Sequence, residues 1–315
     1  MNAIEERLSC EPVAPFLERI LHWFAGHRAV TVAAGAGYFL FSVWSHEIFQ
    51  ELAFRAYDRY DRRRVNAAVQ IVGAIGLILL IRWGVRRVRR CERPVRAVAI
   101  CLTTLGLIAA ACKLLLYTDI EVIHLPQYAI LAVLVFPLVR QYAETIFLTT
   151  LLGAADEGYQ YFVTHADWRI HLDFNDVVLN LLGAAVGCLA IYLSVEHRMA
   201  RQRDGSSLVR RAVSSPTILG TVLIALLATA LHLSGDFAFR VDADGSWPRY
   251  GLRRCEPSPQ FWMTTTWGRR YHELLPESGI ALTALLIGLY AVMMDSVPRV
   301  GSAKKDATES DGAEC

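Results

Sequence analysis

Apolar residues in this chain come in blocks of roughly 18 to 24, the length that spans about 30 Å of hydrocarbon at 1.5 Å per helical residue, with short charged joints between them. The blocks lie near Ala29 to Trp44, Val65 to Trp83, Val95 to Tyr117, Val122 to Val139, Ile146 to Ala155, Val177 to Val195, Ile218 to Ser234 and Gly279 to Val297. The fifth is short and ends in acidic residues. A soluble chain of 315 residues seldom reaches 54% hydrophobic residues with only 20% charged and a mean hydropathy of +0.33. The pattern predicts an all-α polytopic membrane protein, with about eight transmembrane helices in a bundle and no soluble catalytic domain of any size.

The net charge of +2 points to no partner; the bias is in where the charges sit. Arg82, Arg86, Arg87, Arg89, Arg90, Arg93 and Arg96 crowd the second joint, and Arg198, Arg201, Arg203, Arg210 and Arg211 the sixth, whereas the third and fifth carry almost none. The positive-inside rule then places the second and sixth joints and both termini in the cytoplasm, and the third, fifth and seventh joints outside an inner (plasma) membrane. The first joint, with Arg55, Arg59, Arg62, Arg63 and Arg64, pulls against this assignment, diluted by Asp58 and Asp61. Without a soluble fold or interleaved aromatics, the arginines read as topology signals and no nucleic-acid partner is expected.

Seven cysteines, at 10, 91, 101, 112, 188, 255 and 315, match no paired-ligand motif, and structural disulfides are not expected. Glu5, Glu6 and Glu11 occupy what a cleaved signal peptide would fill with basic residues, so the first apolar block reads as a retained anchor. From Pro15 to Phe24, apolar Phe16, Leu17, Ile20, Leu21, Trp23 and Phe24 alternate with Glu18, Arg19 and His22, which suits a short N-terminal interfacial helix. Four segments follow: residues 1–94 with that helix and the first two spans, a core at 95–195, a C-terminal helix pair with a long external loop at 196–298, and a polar tail at 299–315 that reads as disordered.

The chemistry concentrates around the fifth joint. Glu157 and Gln160 share a helix face by their i, i+3 spacing, with Asp156 in the same turn, and Arg169 follows in the joint. Asp176, Asn180, Gly183 and Gly187 step by four, three and four, forming one stripe on the helix that re-enters the membrane. Charges at that depth normally face a protein interior or a water-filled cavity. Plainer roles are open too: Asp173 or Asn175 caps the sixth spanning helix, Arg169 neutralises an acid at the interface, and Gly183 with Gly187 forms a small-xxx-small helix-packing pair.

His165, Asp167, His171, Asp173 and Asp176 offer imidazole and oxygen ligands in one joint, but at a spacing that fits no metal motif, so neither a metal nor another cofactor is expected. His46 and Glu47 begin an H-E pair, yet Gln50 stands where a zinc-protease helix needs its second His. In the seventh joint, Arg249, Arg253, Arg254, Arg269 and Arg270 with Trp247, Trp262 and Trp267 read as an interface belt or as contacts to lipid head groups or a sugar chain.

His124 and Tyr128 in IHLPQYAILA, DEGYQ from Asp156 to Gln160, Arg169, and DVVLNLLGAAVG from Asp176 to Gly187 together resemble the VanZ-like membrane proteins over about 100 residues, from about Val95 to Val195. That family shows a His at a helix start, E-x-x-Q at a helix end, an Arg in the joint, and D-x-x-x-N-x-x-G-x-x-x-G opening the next helix. Asp119 and Glu121 stand here where it usually has a Lys, and its common Pro-Gly before the Arg is missing. The resemblance implies a bacterial envelope protein of the type associated with low-level resistance to the glycopeptide antibiotic teicoplanin. The residues themselves suggest a polar pocket at the outer rim. There Arg169 contacts an anionic head group, and Glu157 and Asp176 orient it or act as acid and base.

The expected partner is a membrane lipid or lipid-linked envelope component. Three classes fit: a non-enzymatic binder, an intramembrane hydrolase or transferase acting on such a ligand, and a transporter. Against transport, the sequence shows no inverted repeat and no paired broken helices.

Overall fold

A computed structural model of the chain describes residues 16–89, 91, 93–165, 171–195, 252 and 260–295, with six helical positions between 221 and 233. Among these residues the fold is all-α. Its helices are α1 (Phe16–Gly26), α2 (Arg28–Tyr60), α3 (Arg62–Val88), α4 (Pro94–Leu114), α5 (His124–Val139), α6 (Tyr142–Tyr159), α7 (Phe174–Ser194) and α8 (Pro276–Tyr290). The one sheet among the described residues is an antiparallel hairpin in the seventh joint, β1 (Met263–Thr264) with β2 (Arg270–Tyr271), pairing Met263 with Tyr271. The seventh apolar block and the expected tail, the arginines of the sixth joint, Arg249, Arg253, Arg254 and Trp247, and Cys10, Cys255 and Cys315 lie largely or wholly outside the described residues.

Among the described residues, five helices are long and apolar enough to cross a membrane: α3, α4, α5 with the 3₁₀ turn before it (Asp119–Val139), α7, and α8 with the turn after it (Pro276–Asp295). The chain is a membrane-embedded bundle. Helix α6 falls outside this set because its 18 residues carry Glu144, Asp156 and Glu157, all buried, although it runs between the same two ends of the bundle. Helix α2 has 33 residues, about 50 Å at 1.5 Å each, and far outruns its apolar block. Helix α3 buries none of its residues; Ile71, Val72, Ile75, Ile78 and Leu79 are exposed. In water each such side chain would forgo roughly 1.5 to 3 kcal/mol of burial, whereas against lipid it loses nothing.

The centre of the bundle is α7, with 18 of 21 residues buried. Its glycines allow α5 to close upon it. A Cβ on Gly183 would stand 2.7 Å from the Leu125 carbonyl oxygen and 2.8 Å from that of His124, and one on Gly187 would meet the Ala129 carbonyl. Only hydrogen fits at either place, so the two backbones touch.

Two sets of contacts define the ends of the bundle. At one end Asn175 is the bolt: its Nδ2 donates to Leu115 O at 2.8 Å and to His272 O at 2.9 Å, and its Oδ1 accepts from Leu274 N at 2.9 Å. The third, fifth and seventh joints therefore meet there. The first joint joins them, since Arg62 lies 3.5 Å above the Trp267 ring. At the opposite end Arg96 donates to Met293 O at 2.7 Å, and Asp295 accepts from Tyr142 N and Ala143 N at 3.1 and 2.8 Å. Among the described residues, the first, third, fifth and seventh joints thus gather at one end and the second and fourth at the other.

Candidate functional site

The site sits near the Asn175 end, where three helix termini converge. His124 begins α5 directly after a 3₁₀ turn, Asp119–Ile123. That turn is closed by Glu121, which accepts from Tyr117 N at 2.8 Å and Thr118 N at 2.9 Å. Asp119 pairs with Arg269 and accepts from Gln70 Nε2 at 3.0 Å. Asp119 and Glu121 are therefore both used locally, Asp119 against Arg269 of the hairpin and Glu121 against the turn's own N–H groups.

Helix α6 ends in a π turn, Gln160–Thr164, closed by His165 N donating to Gln160 O at 2.7 Å. The wider turn follows directly on Glu157 and Gln160, and such turns recur where side chains must be re-aimed for function. Helix α7 starts at Phe174 with Asp173 as its cap, accepting from Asn175 N at 2.9 Å and Asp176 N at 3.2 Å. Capping belongs to Asp173, and Asn175 is released to hold the joints.

These three starts and ends bring six of the seven expected residues into one buried cluster. His124 Nε2 lies 3.6 Å from Asp176 Oδ2, and ligand atoms of His124, Glu157 and Asp176 all fall within 4.8 Å of one another. Asn180, fully buried, adjoins His124 and Glu157, and Gly153 of α6 makes room for it: a Cβ there would stand 2.8 Å from the amide nitrogen. Tyr128 donates to Asp156 Oδ2 at 2.9 Å, and Gln160 Nε2 reaches Asp156 Oδ1 and His46 Nδ1, both at 3.4 Å. Arg169 and Asp167 lie outside the described residues.

Two members escaped the sequence reading. Asp156, 0% exposed, was noticed only as part of a turn, although it is the shared acceptor of Tyr128 and Gln160. His46 of α2 was considered only as half of a zinc-protease motif, yet its ring lies 5.8 Å from that of His124. A stripe at four-residue steps marks its face: Tyr38, Ser42 and His46, with Tyr38 donating to Gln127 O of α5 at 3.1 Å.

The group competent to hold a metal differs from the five residues weighed in the joint. His171 pairs with Glu273 at 3.2 Å and Asp173 is a cap, so among the described residues of that set Asp176 alone belongs to the group, which His124 and Glu157 complete from other helices. Sequence spacing within one joint misses ligands drawn from separate helix ends.

A second polar feature lies beside the hairpin. A cleft of about 590 Å³ is lined by Gln70, Lys113, Asp119, Trp267, Arg269 and Arg270, among others. Its cations are largely engaged: Arg269 with Asp119 and Cys112 O, and Arg270 over Trp262. It reads as the interface belt.

No family model, curated protein or solved structure matches this chain.

Proposed function

We propose that the chain is a VanZ-like membrane protein of the cell envelope whose buried cluster between α5, α6 and α7 receives the head group of an anionic or lipid-linked ligand. The observation that carries this reading is the convergence itself. His124, Tyr128, Glu157, Gln160, Asp176 and Asn180 stand far apart in sequence, yet they meet at one end of the bundle beside the joint that holds Arg169. Burying two acids, an imidazole and an amide together is costly unless they are matched to a polar partner, so the arrangement suits recognition better than packing.

The proposal sets the Asn175 end outside and the termini in the cytoplasm, following the arginines of the second and sixth joints. Single cysteines at Thr164 and Asp167, in a chain whose native cysteines are replaced, label from outside in intact cells, while one at Arg203 does not. The reverse pattern removes the envelope-facing account. Association with teicoplanin tolerance belongs to the same proposal and is checked by growth with and without the gene under that antibiotic.

The nearness of His124, Glu157 and Asp176 favours a second reading, an intramembrane hydrolase or transferase on the same ligand. Lipid retained by the purified protein, measured by native mass spectrometry, separates the two. For a binder, Glu157→Gln keeps most of the ligand and Arg169→Ala loses it. Loss of turnover in Glu157→Gln with the ligand still bound supports the enzyme instead.

A further inference from the structure

Five buried side-chain atoms that make no hydrogen bond of normal geometry among the described residues crowd one place: His124 Nδ1, Glu157 Oε1, Asp176 Oδ1 and both amide atoms of Asn180. Buried polar atoms are ordinarily satisfied, so such a concentration marks a missing partner. His124 is 1% exposed, Glu157 3% and Asn180 0%. The charged neighbours of Glu157 and Asp176 on the described elements are further acids, Asp156, Asp173 and Glu121. The oxygens among them, on Glu157, Asp176 and Asn180, call for a cation.

We propose that His124, Glu157 and Asp176 bind one divalent cation of the zinc or manganese class, with the Asn180 amide oxygen beside it. One imidazole with two carboxylates is a borderline donor set, too nitrogen-rich for calcium and too oxygen-rich for copper(I). Ligands around a tetrahedral ion at about 2.1 Å stand about 3.4 Å apart, so the present separations, all within 4.8 Å, need to close by no more than about 1.4 Å. The ligands come from the start of α5, the end of α6 and the start of α7, and the contact of Gly183 and Gly187 with α5 fixes two of those helices against each other.

Three protein ligands leave a coordination position open, as in sites where a metal holds a substrate or water. An anionic head group held chiefly by Arg169 would gain a further contact there, which lets an acid-rich chamber accept an anion. This last step rests on the head-group reading above; metal binding does not.

The test uses the full chain in nanodiscs, equilibrated with Zn²⁺ or Mn²⁺, desalted and assayed by elemental mass spectrometry. Wild type retains about one equivalent, and Glu157→Gln with Asp176→Asn binds at least about tenfold more weakly. Equal loading of wild type and the double variant, or none in either, overturns the site. His124→Cys keeps zinc but loses manganese, because thiolate suits only the softer ion; an unchanged preference counts against ligation by His124. Should the variants not fold, wild type alone decides. Its melting temperature rises with the ion and falls back with EDTA, and no ion-dependent rise overturns the proposal. Lipid retention is measured with and without EDTA. Metal without lipid refutes the head-group reading alone, and lipid without metal refutes this site alone.

Discussion

Tyr128 donates a 2.9 Å hydrogen bond to Asp156 from the adjacent helix, with both side chains fully buried. Tyr128→Phe keeps the ring and deletes the donor, leaving Asp156 with only the 3.4 Å contact from Gln160. The expected loss is about 1 kcal/mol, in the range of buried side-chain hydrogen bonds within membranes. Thermal melting in detergent reads it, and an unchanged melting temperature would show that the pair adds nothing.

Gly187→Ala drives a Cβ into the Ala129 carbonyl, where backbone cannot yield as a side-chain end would. A loss of about 1 to 3 kcal/mol is expected from overpacking. Gly76→Ala on α3 meets nothing within 4 Å and gains helix propensity, so it should hold or slightly raise stability. Matching behaviour of the two variants would refute the close approach of α5 and α7.

Asn175→Ala removes two donors and one acceptor that tie Leu115, His272 and Leu274 to the start of α7. The orphaned carbonyls and N–H cost about 2 kcal/mol or more. Hydrogen exchange should quicken at residues 272–274 before it quickens in α7. Uniform quickening would mean that the joint is held elsewhere.

Burial pushes the Glu273 carboxyl above its usual range; His171 at 3.2 Å and His272 work against the shift, and Asp173 adds to it. A folded-state value above the unfolded one means that the folded chain holds the proton more tightly. Its contribution is then complete below the unfolded carboxylate pKa and is lost as pH rises through the folded one. Glu273→Gln should flatten the decline in melting temperature above about pH 4.3, the ordinary glutamate value. A steeper decline in the variant would show that the pair with His171 dominates instead.

The helices were legible in the chain because lipid demands long apolar runs, and the run from Val177 to Val195 is the clearest and is also the most buried helix. Asp173 as a cap and the glycine stripe were legible as well, since both follow from local spacing. Asp156 was harder to find. Adjacent residues on a helix point about 100° apart, so one interior face does not bury both Asp156 and Glu157; both are buried because α6 packs against α5 and α7. His46 was hidden by distance: it reaches Gln160 from 114 residues away, and only packing of α2 on α5 reveals it. The hairpin at 263–271 is too short for any alternation pattern.

Asp295 has a consequence for how the protein is made. It closes the first two N–H groups of α6, Tyr142 and Ala143, from a position about 150 residues later in synthesis. At ribosomal speeds of about 5 to 20 residues per second, α6 waits roughly 8 to 30 s for that carboxylate. Throughout that interval the helix carrying Glu157 is in place but uncapped at its far end. The bundle is therefore completed backward, its middle helix closed by a later one, and a ribosome halted before codon 295 would release inserted helices with the first turn of α6 still open.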